Sequence, residues 1–192
     1  MKCLLIPLAL ALLLSACIQG ALDAPAEQPS VPVAGTGDAA LRRDAGAPFQ
    51  TDRLSYTLVT TPAGIEGQIA YVLTNHTGKP IFIVNCNGAT SLSLEKQVGD
   101  RWARVWGPVI PSCLSAPIVV APEQEYRDVV HVFGGHPASN MDPKFTVDSV
   151  PGVYRLVWHD VLRTYDHNAF PHHGEALPME QRISNHFRLD VE

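Results

Sequence analysis

The chain predicts an all-β fold, an antiparallel β-sandwich, and three observations carry that prediction. Apolar residues recur with a period of two in short runs, as strands with one buried face require. Helical periodicity is nearly absent. Turn chemistry rich in Gly, Pro, Asn and Asp separates the runs at the short intervals of a sandwich or barrel rather than of an α/β fold.

The elements follow in order. Leu54–Thr60 is a first strand. Ile69, Tyr71 and Leu73 form one face of a second, with Gln68, Ala70 and Thr74 on the other. Asn75–Pro80 is a turn, and Ile81–Cys86 follows as a third strand with Phe82, Val84 and Cys86 on one face. The strands flanking this turn read as a hairpin. Leu92 and Leu94 alternate with Ser91, Ser93 and Glu95 in a one-sided strand. Gly99-Asp100 turns the chain into Arg101–Trp106, where Trp102 and Trp106 share a face with Arg104 between them and read as sandwich core. Pro108, Pro111 and Pro117 interrupt regular structure around Cys113. Glu125–Phe133 puts Val130 and Val132 on one side and ends at Gly134–Pro137. Val153–Val161 groups Tyr154, Leu156 and Trp158. In the last strand Ile183, Asn185, Phe187, Leu189 and Val191 share a face, with His186, Arg188 and Asp190 facing out.

Residues 1–16 read as a signal peptide: Lys2, an apolar run from Leu4 to Leu14, then small residues. The run is about half the roughly 20 residues a spanning helix needs. Leu14-Ser15-Ala16-Cys17 resembles the lipobox of bacterial lipoproteins. The resemblance implies cleavage before Cys17 and acyl chains on its thiol and new amino group. It also implies the membrane as a partner through that lipid anchor, in the bacterial cell envelope. Ile18 after the acylated cysteine implies the outer membrane, facing the periplasm. Residues 17–48 form an Ala/Pro/Gly-rich tether with too few large apolar side chains to offset its chain entropy. Pro25, Pro29 and Pro32 make it semi-extended. Residues 49–192 are the size of one domain.

The chain has 14 Lys+Arg against 19 Asp+Glu, a formal net charge of −5. This balance argues against nucleic acid as a partner, which wants a basic face. Cys3 leaves with the signal and Cys17 takes lipid, so Cys86 and Cys113 remain, an even pair in an oxidising compartment. Their disulfide would close a loop of about 28 residues.

Asp148-Ser149-Val150-Pro151-Gly152-Val153-Tyr154 resembles the tyrosine corner of immunoglobulin-like sandwiches, which implies that fold and a Tyr154 hydroxyl bonded back to nearby backbone. Leu156 stands where antibody domains carry a cysteine. From Phe49 onward the chain is similar to bacterial secreted lipoproteins with Ig-like sandwiches. The residues that carry this are Leu73–Pro80, Cys86, Asp100-Arg101-Trp102, Cys113 and Pro151–Leu156. The Asn-x-Thr-Gly-Lys-Pro turn is also similar to proteinase-inhibitor sandwiches of the BsuPI type.

Candidate chemistry is sparse. His159, His167, His172 and His173 fall close together near Asp160 and Asp166, a donor set suited to Zn²⁺ or Cu²⁺. A polar loop over Arg163–Pro178, with Pro171, Gly174 and Pro178, accounts for them better, and no metal or other cofactor is expected. Hydrolase templates (Gly-x-Ser-x-Gly, Ser-x-x-Lys) are missing from the folded region, and Cys86 and Cys113 lack Cys-x-x-Cys spacing. Asn75-His76-Thr77 matches a glycosylation sequon and reads as a turn. The expectation is therefore a non-enzymatic binding or assembly module, with an envelope protein as its partner. It would work through the loops Gly107–Pro117 and Arg163–Pro178 or by strand addition at an edge. The alternatives are a periplasmic metal-binding protein using the late histidines and a proteinase-inhibitor-like domain.

Overall fold

Alternating apolar residues become paired strands along nearly the whole domain. The computed structural model describes residues 41, 46–110, 115–166 and 174–192. The signal peptide, Cys17, most of the tether, Cys113, His167, His172 and His173 lie outside them. Among the described residues the strands are β1 (Phe49–Thr51), β2 (Ser55–Thr61), β3 (Gly64–Thr74), β4 (Ile81–Ile83), β5 (Leu92–Val98) and β6 (Arg101–Trp106). After these come β7 (Ile118–Val120), β8 (Glu125–Gly134), β9 (Gly152–Trp158), β10 (Val161–Leu162) and β11 (Phe187–Val191). Among the described residues, helical structure is limited to one 3₁₀ turn at Met179–Gln181. Among the described residues no helix is long and apolar enough to cross a membrane.

The strands form a sandwich-like arrangement of sheets. One layer is built on β3, flanked by β8 on one side and by β1 and the end of β2 on the other. The other runs β2-β11-β9-β5-β6. β2 belongs to both: Ser55–Leu58 pair with β11, and Val59–Thr61 pair with β3. A small sheet, β10-β4-β7, adds a flank. The inner faces share one core, in which Phe49, Tyr71 and Trp158 pack at centroid distances of 5.3–5.7 Å. Edge-to-face and tilted aromatic contacts of this kind stabilise beyond their area burial. Ile81, Ile83, Val120 and Val161 of the small sheet face this core, while Phe82, Val84, Cys86 and Leu162 form a second cluster on its other face with Tyr165.

The tyrosine contact is present. Tyr154 is fully buried, and its hydroxyl donates to the carbonyl of Val150. Lys96 covers it: Nζ donates to the Ser149 carbonyl, and burial holds its pKa below the ordinary lysine value.

Several expectations are corrected. The sandwich is not purely antiparallel, because β11 runs parallel to β2. The strands flanking Asn75–Pro80 are not a hairpin: β4 pairs with β7 and β10 in another sheet. Asn75, itself buried, donates its side-chain amide to the carbonyls of Lys79 and Val120, and so steers the chain from one layer to the next. The strand expected over Val153–Val161 breaks after Trp158, since β10 pairs with β4 and not with the neighbours of β9. The start of β5 is buried on both faces, Ser93 included. Phe145, in a segment outside the strands, is core.

Candidate functional site

On β5 and β9, inward pairs Leu92/Trp158, Leu94/Leu156 and Lys96/Tyr154 force the intervening residues outward. Glu95 and Arg155 therefore face each other directly on the outer side of the sheet. The guanidinium grips one carboxylate oxygen, at 2.6 and 2.8 Å, and the two side chains are only 14% and 18% exposed. Strand β6 brings Arg104 opposite Glu95 on its other flank.

Trp102 completes this face. The register of β5 against β6 slips between Leu94 and Glu95: Trp106 opposes Leu94 while Arg104 opposes Glu95. One extra residue, Val105, is thus inserted. A bulge of this kind reverses which side the following residue takes. Trp106 turns into the core and donates its indole N–H to the Phe133 carbonyl at 2.9 Å. Trp102 stays on the outer face, half-buried. The expectation that both tryptophans share one core face is therefore corrected. The Arg155 guanidinium carbon lies 4.5 Å from the Trp102 ring centroid, and the His186 ring lies 4.7 Å away. Arg104 is exposed and makes no ion pair with any described residue. Its guanidinium lies over Gly107, where a Cβ would come within 2.5 Å.

His159 borders the same face. Its Nε2 lies 2.7 Å from the hydroxyl of buried Ser93. Burial, and then the Arg104 charge, hold its pKa below the ordinary imidazole value. Of the four candidate metal ligands it alone is described, and this bond occupies one of its ring nitrogens. Among the described residues no group of three or more His, Cys, Asp and Glu gathers for a metal ion. Cys86 is in a disulfide. The Ser115 hydroxyl accepts from the Asn87 N–H at 3.1 Å and donates to its side chain at 2.8 Å, which brings the chain around residue 115 against the turn after Cys86. Of the loops singled out, the described part of the first presents Val109, 64% exposed, and Ile110 to solvent.

Ser93, whose hydroxyl meets His159, is buried beneath this face. An indole packed against a guanidinium and an imidazole, beside an arginine that pairs with no described acidic residue, suits an anionic or aromatic group. Glu95, Arg155 and His186 were not singled out from sequence. The signal was available: each alternates with core residues in its own strand or strand approach.

No family model matches the chain, and no curated protein matches it. A solved structure, a Pseudomonas fluorescens alkylpurine DNA glycosylase AlkC bound to DNA containing an abasic site analog, matches at 13% identity and a TM-score of 0.25. The match covers 76% of this chain and 31% of that one, so the chain spans about a third of that protein's length. At this TM-score the likeness carries no argument about ligand. The partner expectation, which set a lipid-held membrane and an envelope protein against nucleic acid, is corrected on a separate ground, since net charge does not exclude nucleic acid. Net charge sums over the whole chain while phosphates respond to the local field, and an acidic total is no bar.

Proposed function

We propose that the chain is a lipoprotein of the bacterial outer membrane, acylated at Cys17, whose Ig-like sandwich is a non-enzymatic binding module acting through the face around Trp102. One observation carries the binding reading: the half-buried indole of Trp102 packs against Arg155 and His186, on the face that also carries Arg104, which pairs with no described acidic residue. Tryptophan and arginine dominate binding energy when they stand on a rigid surface. The Tyr154–Val150 bond supports the Ig-like assignment. Small residues before Cys17 support the anchor, and the disulfide at Cys86 with the Ser115–Asn87 contact supports pairing with Cys113.

Two measurements on the full chain in a bacterial host test this. Labelled palmitate should enter the wild type and not Cys17→Ser. A photo-crosslinking residue at exposed position 97, which faces Trp102 across the strand pair, should trap an adduct that Arg104→Glu abolishes, whereas one at Thr57 should trap none. Equal trapping at both positions removes the face as the site.

A second reading, a proteinase inhibitor, is favoured by Val109 and Ile110, exposed behind Pro108 on the stretch that leads to Cys113. Unchanged activity of a protease panel at micromolar protein would eliminate it.

A further inference from the structure

β8 is a ten-residue strand with one neighbour among the described residues, β3. Asn75 donates its backbone N–H to the Gln124 carbonyl, and the register pairs Leu73 with Tyr126 and Tyr71 with Asp128. Even-numbered residues of β8 therefore exchange hydrogen bonds with β3, and odd-numbered residues aim N–H and C=O the other way. Two contacts agree with this: the Phe133 carbonyl takes the Trp106 indole, and the Val129 N–H donates to Asp128 Oδ1 at 2.8 Å. Trp106 closes the edge at Phe133. From Glu125 to His131 no described residue pairs with it, and the outward backbone groups of Arg127 and His131 have no bond to any described residue.

Asp128 occupies the place a neighbouring strand would fill, with its carboxylate standing in for a strand carbonyl at the Val129 N–H. The Tyr126 hydroxyl steadies Oδ2 at 2.7 Å. The surroundings are acidic. Glu123, Glu125 and Asp128 lie along the edge, and its one cation, Arg127, is held by Glu125 at 2.6 Å. A groove of about 730 Å³ runs from this strand across β3 to Asp52, lined also by His76 and Arg127.

We infer that the open edge of β8, Glu125–His131, binds an extended basic peptide by strand addition. Backbone hydrogen bonds at Arg127 and His131 supply the pairing, and Glu123, Glu125 and Asp128 select lysine or arginine side chains. This site lies apart from the Trp102 face and stands whether or not that reading does.

The probe is a short peptide alternating lysine and valine, added to the full chain, with amide hydrogen exchange read at single residues. Exchange at Arg127 and His131 should slow by about tenfold or more. A version N-methylated on alternate amides, or one alternating glutamate and valine, should leave both unchanged. The variant Glu123→Lys/Glu125→Lys, altered only at exposed positions, should reverse the preference toward the acidic peptide. Protection by the N-methylated peptide, or an unreversed preference, overturns the inference. So does concentration-dependent protection without peptide, which would mean that a second copy takes the edge.

Discussion

Single hydroxyls decide much of the stability on the inner faces. Tyr154→Phe keeps the ring but leaves the Val150 carbonyl without its donor. The expected loss is about 1–2 kcal/mol, measured by urea unfolding. Tyr56 gives a dependence on pH. Its hydroxyl bonds Asp52 at 2.5 Å, and burial together with that carboxylate pushes its pKa up to about 12. A folded-state pKa above the unfolded value means the folded chain holds its proton more tightly. The stabilisation is complete below about pH 10 and is lost as pH rises through about 12. Thermal melts between these values should fall for the wild type, and Tyr56→Phe should flatten part of that fall. A Tyr56→Phe curve identical to the wild type would remove Tyr56 as a cause.

At the scale of elements, pairing explains what alternation alone does not. β3, β8, β9 and β11 are long enough for a period of two to show, and their inward residues were legible: Ile69, Tyr71, Leu73, Val132, Tyr154, Leu156 and Leu189 are all buried. β1 and β7 have three residues each, too few to display a period. Partner choice is a nonlocal matter. Asn75–Pro80 carries turn chemistry, yet nothing local says that Ile81 leaves for another sheet. The tryptophans were misplaced for a comparable reason, since a bulge depends on the facing strand and leaves no mark in its own. Of the candidate site, the outward placement of Trp102 depends on that bulge, whereas Glu95 and Arg155 follow from simple alternation. Their coupling can be measured. A double-mutant cycle of Arg155→Met with Trp102→Ala should give an interaction energy of about 0.5–1 kcal/mol. Glu95→Gln should cost about 1–2 kcal/mol, above the range for exposed pairs because both partners are largely covered. A coupling indistinguishable from zero would mean that the guanidinium does not hold the ring.

For the whole molecule, the small sheet rests on the disulfide at Cys86 and on the cluster of Phe82, Val84, Leu162 and Tyr165. With Cys113 as partner, closing a loop of about 28 residues restricts the unfolded chain by roughly 3.5 kcal/mol. Cys86→Ser should lower the unfolding free energy by about that amount, and Cys113→Ser should match it. Unequal losses would point to a different partner for Cys86.

β11 lies between β2 and β9, although both precede it along the chain. A ribosome delivers Phe187–Val191 after every strand they join. Until then β2 and β9 have no common neighbour, and the sheet waits in two halves. The two halves of this sheet are therefore joined only once β11 is in place, as a late zipper rather than by gradual accretion.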